Sequence, residues 1–278
     1  MALKDLLVYV DDSKANAARV DAAVRLAADN DAHLTGLYIA PDQSMTTVYT
    51  EAHIPSEILE AQRQAAVERA GEARKLFEAA AGKAGLSSEW RFVEGDFVRA
   101  VSLHARYTDL LIIGQSNPSD ELSVTRGAVE QILLDVGRPV LVIPYIGAPQ
   151  AMGERVLVAW NASREAMRAV HDAMPLLERA KAVRVLSINP QRGPSGEGEV
   201  PGADISHHLA RHNVKAEAVH VEAEDIAVGE VLLSRAADQQ ADLIVMGAYG
   251  HSRYRELILG GATRSLLEAM TIPVLMSH

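Results

Sequence analysis

Apolar positions fall along the chain in short runs separated by helix-period stretches, and the order is written twice. Residues 6–10 form a continuous apolar run that stops at Asp11-Asp12-Ser13, and residues 155–160 form another that stops at Asn161-Ala162-Ser163. Each reads as a buried strand running into a helix cap. Val20, Val24 and Ala27 then share one face of an Ala-rich helix, and Met167, Val170, Met174 and Leu177 keep the same spacing in the second copy. Pro175 lacks an amide donor and is expected to kink or end that second helix.

The copies continue in parallel. Residues 33–40 and 182–188 are strand-like. The first is followed by a Pro-, Thr- and Ser-bearing connection at 41–55 and a long helix over 56–81, the second by an exposed loop at 190–201 and a shorter helix over 203–212. Residues 90–93 and 216–221 supply a third strand. Helices over 98–106 and 226–239 lead to Asp109-Leu110-Leu111-Ile112-Ile113-Gly114 and Asp242-Leu243-Ile244-Val245-Met246-Gly247, two strands that each end in glycine. Each half closes with a helix and a Pro-led strand, at 139–143 and 273–276. Strands alternating with helices imply βαβ units around a mostly parallel sheet, and continuous apolar strands imply that both sheet faces are covered. The pattern breaks near 147–153, so domains of 1–148 and 149–278 are expected.

Composition narrows the chemistry. With 48% apolar and 23% charged residues, the 278-residue chain is expected to form cored globular domains. The net charge of -10 argues against a broad nucleic-acid surface. Residues 1–150 hold 14 basic and 21 acidic side chains and the remainder 13 and 16, so the halves differ electrostatically. Cysteine is absent, which removes disulfides, thiol nucleophiles and thiolate metal sites. No segment reads as a secretory signal or a membrane span, and the expected location is cytoplasmic.

The candidate site lies after the fourth strand of the second half. Gly247-Ala248-Tyr249-Gly250 is followed, nine residues later, by Gly260-Gly261-Ala262-Thr263 opening a helix. Open α/β sheets bind ligands beyond the carboxyl ends of their strands. Glycine there lets backbone approach a ligand, and amides at a helix start hold phosphate without a side-chain cation. His251, Arg253 and Arg255 add local positive charge. The spacing is neither GxxxxGK[ST] nor GxGxxG, and no GxSxG elbow appears. Tight turns alone also account for such glycines. His207, His208 and His212 cluster on a helix, without the Glu of a zinc-protease motif.

Gly247-x-x-Gly250 followed by nine residues and Gly260, the strand at 242–246, Glu94-Gly95-Asp96 and the two strand-one endings together resemble the universal stress protein family, in a tandem arrangement with one family domain in each half. The resemblance implies a Rossmann-like α/β fold with a five-stranded parallel sheet of order 3-2-1-4-5 in each domain. It also implies antiparallel pairing of the two last strands within the chain, and frequent association of two chains as a homodimer. Some members bind ATP and act as stress-linked regulators with weak or no hydrolysis.

Carried over by position, the resemblance puts Gly247 beside the ribose, and Gly250, Gly260, Gly261 and Ala262 around the phosphates. Ile188 falls beside the adenine and Asn161 where an aspartate often contacts base or ribose. Read from its charge alone, Arg253 could reach phosphate or offset the acidic surface. Gly261 replaces the usual Ser or Thr, and Asn161 replaces a charge with an amide. The first half departs further. Gly114 is kept, but Asn117 and Arg126 stand where the other glycines belong, Pro118 removes a donor, and Asp120 and Glu121 oppose a polyanion. One ATP, ADP or AMP site is therefore expected, in the second half, with Mg²⁺ accompanying the nucleotide. A nucleotide-independent interaction scaffold and a slow ATP hydrolase remain open.

Overall fold

The computed structural model describes residues 2–41, 56–190, 199–223, 225–249 and 261–278. It divides into two compact units, Leu3–Val136 and Gly137–His278.

In the first unit, β1 (Asp5–Val10), β2 (His33–Ala40), β3 (Ser88–Glu94) and β4 (Leu110–Gly114) are all parallel, in the order β3-β2-β1-β4. The helices between and after them are α1 (Asn16–Asn30), α2 (Ser56–Lys83), α3 (Phe97–Ala105) and α4 (Arg126–Asp135). β1 and β4 are buried almost throughout, as strands covered on both faces must be. α2 turns Ala66, Ala70, Ala73, Phe77 and Ala81 inward at three- and four-residue spacing. Phe77 is fully buried against Trp90, their ring centroids 5.8 Å apart. Gly36 on β2 makes that possible, because a Cβ there would lie about 3 Å from both rings.

The second unit contains β5 (Val140–Ile143), β6 (Arg155–Trp160), β7 (Ala182–Ile188), β8 (Ala216–Val221), β9 (Leu243–Gly247) and β10 (Val274–Ser277). Its helices are α5 (Arg164–Asp172), α6 (Met174–Leu177), α7 (Ala203–Arg211), α8 (Val228–Asp238) and α9 (Gly261–Ala269). The strand order is β5-β10-β9-β6-β7-β8. The last five are parallel, and β5 runs antiparallel to β10 with Val142 opposite Val274. Pro175 lies in the first turn of α6, which follows the end of α5 at Asp172. α8 packs on α9 at Gly229, where a Cβ would lie 2.8 Å from Ser265 Oγ and 3.1 Å from Leu266 N.

The α/β fold with parallel strands and covering helices is as expected, but the arrangement differs from two separate five-stranded parallel sheets. Among the described residues the first unit holds four strands, and β5 groups with the second. The physical reason lies at its edge: all four β5 residues are buried, and pairing with β10 satisfies backbone groups that an open edge would leave bare.

One device occurs in both units. Asp109 Oδ2 accepts the amides of Lys4 and Asp5 at 2.7 and 3.0 Å, which fixes the start of β1 beside β4. Asp242 accepts the amides of Gly153 and Arg155 at 2.7 and 3.0 Å at the start of β6. Burial pushes the Asp242 carboxyl up despite these donors. Among the described residues, no helix is long and apolar enough to cross a membrane.

Candidate functional site

In the second unit the chain leaves β6 toward β7 on one side and returns through β9 on the other, so the carboxyl ends of β6 and β9 flank a switch point. Asn161 is the first residue beyond β6. It is exposed, and its Oδ1 accepts the Ser163 amide at 3.2 Å. Ser163 Oγ in turn caps α5 by accepting the Ala166 amide at 3.1 Å.

Ile188 ends β7, half-buried and in register with Val221. The chain then turns at Asn189, whose φ of 49° is left-handed. Asn189 donates its amide to Val221 O at 2.9 Å, and its side chain exchanges two hydrogen bonds with the Ala223 backbone. That fixes the exit from β7 against β8.

Gly247 ends β9. A Cβ there would lie 2.5 Å from Ala166 N and from Glu165 C, so the start of α5 sits directly on this glycine. Close helix–strand packing therefore demands glycine whether or not a ligand approaches. Ala248 follows, fully buried, with its amide donating to Ser277 O at 2.8 Å. Glu165 is buried nearby. Burial opposes its charge, yet the hydrogen bond from Arg164 and a backbone bond hold its carboxyl below the usual carboxylate range.

Gly261 opens α9, exposed and with open space where a side chain would project, and Ala262 beside it is half-buried. By the parallel topology this helix start lies at the same edge as Asn161, Ile188 and Gly247. Gly250, Arg253 and Gly260 lie outside the described residues, as do His251 and Arg255. The rings of His208 and His212 lie tilted to each other with centroids 4.9 Å apart, on α7 and its carboxyl end.

The corresponding edge of the first unit is built differently. Asp11 follows β1, and its Oδ1 accepts the Ser13 amide at 3.0 Å and pairs with Arg19 Nη2 at 2.7 Å. Arg19 is only 2% exposed, and it also donates to Tyr9 O at 2.8 Å and Asn16 Oδ1 at 3.1 Å. A cleft of about 730 Å³ opens between this turn and α2, lined by Asp12, Lys14, Arg69 and Leu76 among others. Asp12 is held there by the Tyr38 hydroxyl at 2.7 Å and Arg69 at 3.2 Å.

Sequence reasoning passes over Arg19, although a signal exists. Asn16, Arg19, Val20, Ala23 and Ala27 form one buried stripe, so a charge stands on an apolar face and requires an internal partner.

The model of the universal stress protein family matches residues 2–144 and 152–278. The chain belongs to the universal stress protein family. A universal stress protein from Archaeoglobus fulgidus shares the fold at 16% identity, with 98% of this chain and 97% of that one covered at a TM-score of 0.74. A functionally unknown protein from Pseudomonas aeruginosa PAO1 matches at 14% identity, with 99% and 92% covered and a TM-score of 0.58. In sequence, a universal stress protein from Synechocystis is 44% identical over 46 residues, 16% of this chain and 16% of that protein's length.

Proposed function

We propose that this universal stress protein is a cytoplasmic regulator that binds ATP, or the related ADP or AMP, in a second domain spanning 149–278. Asn161 and Ile188 would face the nucleoside. Gly247, Gly250, Gly260, Gly261 and Ala262 would give the phosphates backbone access, with Arg253 adding charge. Mg²⁺ would enter on the phosphates, because among the described residues no group of three His, Asp or Glu side chains forms a metal site. The first domain, 1–148, serves as a pseudo-symmetric partner.

The observation that carries this reading is the contrast between the loops that leave β4 and β9. The β4 loop spends its amides internally: those of Asn117, Ser119, Asp120, Leu122 and Ser123 all donate to protein acceptors. The β9 loop keeps the glycine spacing and leads to a helix start with open space at Gly261. Occupancy would favour the nucleotide-binding conformation over any other, linking ligand to surface.

Calorimetric titration of the full chain with ATP, ADP and AMP tests the reading. One nucleotide per chain is expected, weakened about tenfold or more by Gly260→Val and changed little by Asn117→Ala. Equal loss from both substitutions in folded protein defeats the one-site assignment. Absence of binding leaves a scaffold, and phosphate release abolished by Gly260→Val marks a hydrolase.

A further inference from the structure

In the first unit, the loop after β4 folds back onto the turn between β1 and α1, and Asp120 joins them. One carboxylate oxygen accepts the Lys14 amide at 2.8 Å, and the other accepts the Leu122 amide at 3.2 Å. The residue is 9% exposed. Its own amide donates to Asn117 O at 3.0 Å, and its carbonyl accepts the Ser123 amide at 3.0 Å. Asn117 donates its amide to Ser123 Oγ at 3.1 Å, while its Oδ1 accepts the Ser119 amide at 3.0 Å.

Amides from separated segments thus converge on one buried carboxylate, the manner in which backbone holds a small anion. Ala15, the N-cap of α1, makes no side-chain cap hydrogen bond, so the Asp120 carboxylate on the Lys14 amide stands next to the positive end of that helix. On the same edge, Asp11 receives Arg19 instead of an outside donor. Both kinds of charge that a ligand would bring to the ends of β1 and β4 are therefore supplied by the chain.

We propose that the first unit is self-liganded, with the Asp120 carboxylate as the resident anion of its β1–β4 crevice. Asp120 latches the β4–α4 loop to the β1–α1 turn and excludes external anions from this half. That exclusion confines nucleotide to the second domain, a clause that rests on the reading above; the latch itself does not.

Site-resolved amide hydrogen exchange on the full-length Asp120→Ala variant tests the latch. Exchange at Lys14 and Leu122 is expected to rise about tenfold or more. Sodium formate, a free carboxylate, should restore protection at those two amides, whereas sodium chloride at equal ionic strength should not. Unchanged exchange, or a rise that formate does not reverse, overturns the proposal. If Asp120→Ala does not fold, Asp120→Asn decides, since it keeps one acceptor oxygen. Faster exchange at one of the two amides supports the latch, and wild-type protection at both refutes it. ATP titration of the same proteins separates the two readings. Weaker ATP binding in the variant counts against the resident anion. Lack of ATP binding in wild type, with formate rescue intact, removes the nucleotide reading alone.

Discussion

Arg19 fills the volume that a side chain at Gly114 would need: a Cβ built on Gly114 falls well inside the contact distance of Arg19 Nη1. The guanidinium cannot swing aside freely, because Tyr9 O, Asn16 Oδ1 and Asp11 Oδ1 hold it in place. Gly114 and Arg19 are thus one packing unit, formed between the end of β4 and the face of α1.

Gly114→Ala should destabilise the first unit by about 1–3 kcal/mol through overpacking. Arg19→Ala should cost about 3–5 kcal/mol, since it strands the buried Asp11 carboxylate. In the Arg19→Ala background, Gly114→Ala should cost clearly less than in wild type, with a coupling of about 1–2 kcal/mol. Urea midpoints read from Trp90 fluorescence, in a Trp160→Phe background, measure this. Equal costs in the two backgrounds would show that the pair does not touch in solution.

Asp109 and Asp242 tie the first residues of β1 and β6 to β4 and β9 by paired amide bonds. Asp109→Ala and Asp242→Ala should each lower the stability of the unit that carries them by about 1–3 kcal/mol. Hydrogen exchange should accelerate at Lys4 and Asp5 in the first variant, and at Gly153 and Arg155 in the second. Acceleration spread evenly over both units in either variant would contradict the local clamp.

Tyr38 carries a pH signature. Burial, then its hydrogen bond and proximity to Asp12, push its phenol up to about 12. The unfolded phenol ionises near about 10, so the folded chain keeps a proton that the unfolded chain releases. The resulting stability is fully present below pH of about 10 and is lost as pH rises through about 12. Wild-type urea midpoints should therefore fall more steeply than those of Tyr38→Phe across that window. Parallel pH profiles for the two proteins would refute the assignment.

The strands are the most legible part of the chain, because two covered faces force continuous apolar runs such as 110–113 and 243–246. Helix faces are nearly as plain; the Ala66–Ala81 stripe needs only its spacing. Pairing is not written locally. Nothing within Val140–Ile143 announces that it runs antiparallel to β10, and the two strand-start aspartates read as polar boundaries until their distant amides are known. Asn161, Ile188 and Gly247 share one sheet edge because parallel topology aligns strand ends, which the repeat already implies. Glycine is harder to read, since the same residue type serves ligand approach and tight packing. At Gly247 the proximity of Ala166 N is sufficient reason for it, and at Gly114 an arginine takes the room instead.

Gly229 has a mechanical consequence. With no side chain at 229 to hold them apart, α8 and α9 meet directly, and a methyl group there would force Ser265 and Leu266 away. Leading into α8 beside that contact, Ile226 and Val228 stand 52% and 38% exposed, so widening the helix pair would enlarge an apolar surface that is already bare.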